Sequence, residues 1–286
     1  MKYPPIAMTW RTQKIREEYL KMPVPQEDNP YLDKKYKHFC TGDRWITLGF
    51  LEGWLAHEDA PTTRRRRSYA EAAELYAAQP IITEHELLTG HLYLPEYTPE
   101  EQKRYDQLCE MFRMSSVTLL ERGPRIDHLS LDLEKLLRIG ISGIVAEIHA
   151  RMAELNLQDR NVYPEFEVMK QYDFYECCLL ELEALKDLQK RYAQKAREMA
   201  ETAPEPRKAE LSQMAEILEW VPEHPARNFR EALQSVQFFL GTLFGLYPLN
   251  RPDRYLYPYY AEDVRAGVLT RDEAQELIDN FCLHVS

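Results

Sequence analysis

Asp127, His128 and Asp132 place an imidazole between two carboxylates within six residues, just ahead of an apolar pattern at Leu133, Leu136, Leu137 and Ile141. A polar cluster at a helix start can face a cavity. The free amides of the first turn attract anions or hydroxyls there, and a histidine can hydrogen-bond and polarise a bound oxygen. His128 and Asp132 are therefore the candidate substrate-binding residues. The plainer use of the same side chains is Asp132 as the helix N-cap or a first-turn acid and His128 as a satisfied surface residue.

Other chemistry-bearing residues carry weaker signals. Arg251, Asp253 and Arg254 lie among Tyr255, Tyr257 and Tyr259 and could form a charge-and-aromatic network. Such a network fixes a wall more readily than it performs chemistry. Arg64–Arg67 could be an anion patch, but four arginines ahead of a helix in an acidic protein more often meet surface carboxylates. His85 and His91, with Glu84 and Glu86, have neither the i,i+4 spacing of a helical pair nor a zinc-type cysteine and histidine pattern, so no metal site is expected. Cys177 and Cys178 fall inside a long helical tract, one on its apolar face and the other beside it as a small hydrophobe.

The elements that must position these residues read as helices. Ten glycines in 286 residues is a low count, and Ala/Glu/Leu/Lys/Arg tracts dominate. The pattern predicts a first helix over 9–22, ended by Pro23. Capping boxes are predicted at Ser68–Glu71, opening a helix that runs to about Ala78, and at Thr98–Glu101. Asn228 with Glu231 and Thr270 with Glu273 repeat the device. The longest tract runs from Pro164 to about Thr202, with Phe174, Cys178, Leu182, Leu185, Leu188, Tyr192, Ala196 and Met199 on one apolar face. Strand-like material is confined to Pro80-Ile-Ile-Thr83 and Glu86–Leu94. No repeat and no Gly/Ser-rich linker divides the chain.

Taken in order, several stretches resemble the glycyl radical enzymes, the pyruvate formate-lyase-like family. Asn250–Tyr260 (NRPDRYLYPYY) resembles that family's Gly-Arg-x-Asp-Gln-Tyr-Leu-Tyr-Pro segment. Arg64–Gly90 resembles its Arg-x-Ala-x-x-Leu followed by Pro-Ile-x-Ile-x-Asp-Glu-Leu-x-x-Gly. Asp127–Ile144 resembles Gly-His-x-x-Pro-Asp-Tyr-x-x-x-Leu-x-x-Gly-Leu-x-Gly-Ile. Arg191-Tyr-Ala, Glu210-Leu, Val221-Pro, Pro225-Ala and Phe229-x-Glu-Ala-Leu-Gln234 follow in the same order, so the resemblance covers about residues 10–286.

The resemblance implies a predominantly α chain with few short strands, the N-terminal portion of a ten-stranded α/β barrel wrapped by helices. All 286 residues would then be one pyruvate formate-lyase-like domain. It implies radical chemistry on a small-molecule substrate, from a cysteine thiyl and a glycyl radical installed by an iron–sulfur S-adenosylmethionine activase, in an enzyme that is a homodimer when complete. The position matching His128 lines the family's substrate cavity; diol-dehydratase-like members carry histidine there and pyruvate formate-lyase an arginine. Histidine points to a dehydratase or C–X lyase acting on a hydroxylated or aminated small molecule. The alternatives are a formate C-acetyltransferase segment and a non-catalytic helical scaffold. Cys177-Cys178 resembles the paired cysteines of pyruvate formate-lyase, and Arg265-Ala-Gly267 resembles the radical-glycine setting. The first pair lies far upstream of the expected loop, however, and Gly267 sits at a helix end. No residue here is expected to be catalytic, and no cofactor is expected to bind this segment. Departures from the family pattern include Asp127 for its glycine, Leu131-Asp132-Leu133 for Pro-Asp-Tyr, Asn250 for glycine, and Pro248 where dehydratase-like members place a serine.

The formal net charge of −11 disfavours non-specific nucleic-acid binding, which works by neutralising phosphates. No stretch approaches the roughly eighteen uninterrupted apolar residues of a membrane span, and no apolar segment near Met1 suits a signal peptide. Five irregularly spaced cysteines suit a reducing cytoplasm. The last helical pattern stays apolar to Val285 with no stop signal, so the chain is expected to be truncated and to need a missing C-terminal part.

Overall fold

The computed structural model of the protein describes residues 8–21, 47–90, 97–114, 131–155, 165–242 and 249–285. Among these residues there are eleven helices: α1 (Trp10–Lys21), α2 (Leu48–Ala56), α3 (Thr63–Ala77), α4 (Pro99–Met114), α5 (Leu133–Glu154), α6 (Glu165–Thr202), α7 (Arg207–Leu218), α8 (Phe229–Thr242), α9 (Pro252–Tyr255), α10 (Tyr257–Arg265) and α11 (Arg271–Val285). The predominantly helical expectation holds.

Local chemistry sets most of the starts. Thr9 Oγ1 accepts the Thr12 amide (3.2 Å) at the mouth of α1. Both halves of the capping box form at α4, where Thr98 N donates to Glu101 Oε2 (2.8 Å) and Glu101 N donates to Thr98 Oγ1 (3.3 Å). The same exchange between Thr270 and Glu273 opens α11 at 2.8 and 3.2 Å. Asn228 Oδ1 accepts the Glu231 amide (2.9 Å) at α8. At α3 the expectation fails. The helix begins at Thr63, because Thr62 Oγ1 caps the Arg65 amide (3.0 Å). Ser68 lies inside the helix and donates instead to Glu181 Oε1 (2.6 Å) on α6.

Helix α6 holds 38 residues, a rod of about 57 Å at 1.5 Å per residue, and both α3 and α7 pack along it. Its inward face carries Ala184, Leu185, Leu188, Tyr192 and Ala196. The predicted face drifts at the amino end: Phe174 is exposed beside Arg64, while Asp173 and Cys177 point inward. Asp173 takes the inner position because Thr62 Oγ1 (2.7 Å) and Arg65 Nε (3.1 Å) both donate to its carboxylate.

Helix α8 has eleven of its fourteen residues buried, which makes it an interior helix rather than one with a single apolar stripe. Phe238 on α8 meets Tyr192 of α6 edge-on, with centroids 5.6 Å apart, at the centre of the main core. A smaller core joins Phe50, Leu51 and Trp54 of α2 to Ala70 of α3 and Leu108 of α4.

No strand occurs among the described residues, which corrects the prediction at 80–83 and 86–94; residues 91–94 lie outside them. Residues 80–90 form no regular element and bend at 84–85 and 87–88. Their backbone groups are met by side chains of α1, α7, α8 and α11.

Candidate functional site

Of the candidate residues, Asp132 falls at the amino end of α5. Asp127 and His128 lie outside the described residues. Asp132 is exposed and forms the N-cap, its carboxylate accepting the Lys135 amide (3.0 Å). The first part of α5, Leu133–Ile139, is severed from the rest at Gly140, whose φ of 64° is left-handed. The Ile141 amide donates to Pro222 O (2.9 Å) and the Ser142 amide to Glu223 O (2.9 Å), so neither closes a bond within α5. The Leu137 carbonyl, relieved of its helical partner, accepts the Ala226 amide (3.0 Å). A Cβ at position 140 would lie 2.5 Å from Glu223 O, so only glycine lets the 222–226 turn come this close.

The second family-like segment meets the first here. Asn250 Nδ2 donates to Leu131 O (3.3 Å) and the Tyr259 hydroxyl to Leu137 O (3.4 Å). The Tyr255 hydroxyl donates to Leu249 O (3.0 Å), and burial pushes its pKa up to about 12. Tyr260 packs edge-on against Phe229. Arg251 and Asp253 satisfy each other at 2.9 and 2.8 Å in the open, and hydrogen bonding from Arg251 holds the Asp253 carboxyl below its usual range. The charged pair and the tyrosines thus make separate contacts rather than one network, and the Tyr255 and Tyr259 hydroxyls are the groups that hold main chain in place.

The polar centre that the sequence did not single out surrounds residues 83–89. Arg207 donates to Glu86 O (2.8 Å) and Thr83 O (3.0 Å), Arg11 to His85 O (3.0 Å), and Arg230 to Leu87 O (3.4 Å). Glu210 joins two of these arginines, accepting from Arg207 at 3.0 Å and from Arg11. Asn280 Oδ1 accepts the amides of Leu87 (3.3 Å) and Leu88 (3.2 Å), and Gln234 pairs with both backbone groups of Thr89 (3.1 and 2.7 Å). Gly90 follows with φ 121°, and a Cβ there would sit 2.6 Å from the Phe238 ring.

The Glu86 carboxyl is buried and accepts from Thr83 Oγ1 (3.1 Å); burial raises its pKa to about 7. Burial likewise lowers the Arg230 guanidinium to about 10. The available signal lay in the family-like segments, where Glu86, Glu210 and Gln234 all stand. Nothing local marks Arg11 or Asn280, which act across the fold.

The remaining sequence candidates have structural partners. Arg65 pairs with Asp173 and Glu176, Arg67 with Glu71 (3.0 Å), and Arg66 lies over the Trp54 ring (4.4 Å). The Arg64–Arg67 run thus meets carboxylates and aromatics, as the plainer reading holds. His85 meets Trp10 edge-on, and His91 lies outside the described residues. Burial pushes the Cys178 thiol up to about 11 and also raises Cys177, the opposite of an activated thiolate. Gly267 has φ 70° just past α10, the helix-end role expected of it. No helix among the described residues is long and apolar enough to cross a membrane.

A family profile described as "Pyruvate formate lyase-like" matches residues 81–286. The chain therefore belongs to the pyruvate formate lyase-like family, the glycyl radical enzymes. It is similar to the isethionate sulfite-lyase of Oleidesulfovibrio alaskensis, 37% identical over 155 residues, which is 52% of this chain and 18% of that protein. It is also similar to the trans-4-hydroxy-L-proline dehydratase of Clostridioides difficile, 35% identical over 154 residues, 51% of this chain and 18% of that protein. The fold matches a Roseburia inulinivorans structure solved for 1,2-propanediol dehydration, with a TM-score of 0.78 and 23% identity. That match covers 99% of this chain and 40% of the other. The chain thus spans less than half the length of the proteins it matches.

Proposed function

We propose that these 286 residues form the amino-terminal part of a pyruvate formate lyase-like domain in a glycyl radical dehydratase or C–X lyase. The substrate is a small hydroxylated or aminated molecule, and this part is inactive alone. The observation that carries this reading is the meeting of two separate family-like segments, Asn250 against Leu131 and Tyr259 against Leu137, at the amino end of α5. A family resemblance spread along a chain has catalytic meaning only if its pieces converge, and these two do. Relatives named as a sulfite-lyase and a dehydratase support the reaction class.

Breaking an unactivated C–H bond needs a hydrogen-atom abstractor shielded from water, which the radical supplies in the complete enzyme. This chain would supply the walls. His128 hydrogen-bonds and polarises the substrate hydroxyl, and Asp132, four residues on, caps the first turn of α5. The helices would wrap part of the first half of a ten-stranded barrel. The complete protein would be a cytoplasmic homodimer that meets an iron–sulfur S-adenosylmethionine activase.

The test is to express the coding sequence carried past Ser286 to its stop codon and treat the product anaerobically with a glycyl radical activase. A glycyl EPR signal and elimination from small diols or amino alcohols are expected, with neither from the 286-residue chain alone. In the active protein, His128→Ala should lower kcat/KM on the order of 100-fold. A radical signal on the short chain by itself, or full activity in the alanine variant, overturns the reading.

A further inference from the structure

We infer that Asn250, with Tyr259, acts as a positioning residue that grips the stretch Leu131–Leu137 at both ends and so sets affinity for substrate. This inference rests on the functional reading above and goes beyond it, because it assigns a role to a residue outside the candidate substrate-binding pair.

Two independent observations single out Asn250. It is the one non-glycine residue with positive φ among the described residues, at 57°. Left-handed backbone favours glycine, and asparagine tolerates it at a cost that needs a return. The return is visible: the side-chain amide reaches 119 residues back to donate to Leu131 O, immediately ahead of the Asp132 cap. A glycine there would have easier backbone and no such reach.

The position is also well braced. The Tyr255 hydroxyl fixes Leu249 O on one side, and on the other the Arg251 carbonyl accepts the Arg254 amide (2.8 Å) at the start of the short helix α9. From the same stretch, the Tyr259 hydroxyl takes Leu137 O, the carbonyl that the Gly140 break leaves without a helical partner. One segment therefore holds Leu131–Leu137 at its start and at its end. Because Gly140 uncouples that piece from the rest of α5, its pitch is not dictated by helix continuity. The grip and the 222–226 turn together decide it.

Three variants separate donor from backbone. Asn250→Gly removes the amide and relaxes the backbone. Asn250→Asp keeps the shape and the left-handed tolerance but cannot donate. Tyr259→Phe removes only the hydroxyl. On the 286-residue chain, hydrogen exchange of the 133–137 amides should quicken about fivefold in each, the worth of one net hydrogen bond. The melting temperature of Asn250→Gly should stay at or above that of the parent. In the complete activated protein, Asn250→Gly should raise KM about tenfold and change kcat less than threefold, a split that general destabilisation does not produce.

Unchanged exchange in Asn250→Gly and Asn250→Asp overturns the grip. Faster exchange with KM and kcat both within twofold of the parent overturns the positioning role. A complete parent protein with no dehydratase or lyase activity counts against the functional reading alone, since exchange reads the grip without substrate.

Discussion

Residues 80–90 and residues 131–142 both leave backbone groups without local partners, and the protein satisfies them by opposite means. Side chains from four helices bind the first segment: Arg11, Arg207, Arg230, Gln234 and Asn280 all reach main-chain atoms. Main chain binds the second, as the 222–226 turn exchanges three backbone hydrogen bonds with α5 around Gly140. A segment held by side chains can be loosened one contact at a time, and it can titrate. Where main chain does the holding, around Gly140, side-chain identity matters mainly where the close approach forbids any Cβ, and the side chains of Asn250 and Tyr259 act on the stretch ahead of it.

That contrast predicts the largest loss at Gly140. Gly140→Ala forces a left-handed alanine and drives its Cβ against Glu223 O, at a cost on the order of 4 kcal/mol. Urea denaturation of the two proteins measures it; a loss below about 1 kcal/mol would mean that the backbone exchange yields easily, and the distinction drawn here would fail.

The next effect is a pH dependence confined to the side-chain-held segment. Folding raises the Glu86 carboxyl from 4.5 to about 7, so the folded state holds this proton more tightly than the unfolded chain. Its contribution is complete below about pH 4.5 and disappears as pH rises through 7, by at most roughly 3 kcal/mol. Thr83, Thr89, Arg207 and Tyr192 face this group, and burial outweighs the help of the hydrogen bonds and of Arg207. Glu86→Gln should therefore flatten the fall in stability between pH 5 and pH 8. A curve parallel to that of the parent would remove Glu86 as its source.

A smaller loss is expected at Asn280. Removing its Oδ1 leaves the buried amides of Leu87 and Leu88 without their acceptor, so Asn280→Ala should cost roughly 2 kcal/mol. Exchange protection at those two amides should drop while the amides around Gly140 keep theirs. Loss of protection in both places would show the two segments to be one cooperative unit.

Asp132→Ala should have the mildest effect, about 1 kcal/mol from a lost N-cap. It should fray Leu133–Lys135 and leave Ser142 protected, because Gly140 isolates the first part of α5. Fraying that passes beyond Gly140 would refute that isolation.

Much of the helical framework was legible. The boxes at Thr98 and Thr270 and the cap at Asn228 lie within four residues of their partners, so sequence alone contains the whole interaction. Asp132 was readable as a cap for the same reason. Ser68 misled because Thr62, six residues earlier, captures the helix start and frees Ser68 for α6. Phe174 misled because Asp173 has partners on α3 that no helical periodicity reveals. Residues 80–90 carry short apolar runs that read as strand material, yet their hydrogen bonds go to asparagine, glutamine and arginine. Within the candidate site, the sequence marked Asp132 and the Asn250–Tyr260 stretch, but not their meeting.

From the amino-acid order alone came much of the helical framework, several of its caps, the family, and the helix-end glycine at 267, because each depends on spacing within a few residues or on a motif preserved in series. The tertiary structure alone decided which arginine meets which carbonyl, why Glu86 keeps its proton so long, and how the asparagine at 250 reaches α5. Those choices depend on groups such as Leu87 and Asn280, 193 residues apart, whose partnership exists only once the helices between them have packed.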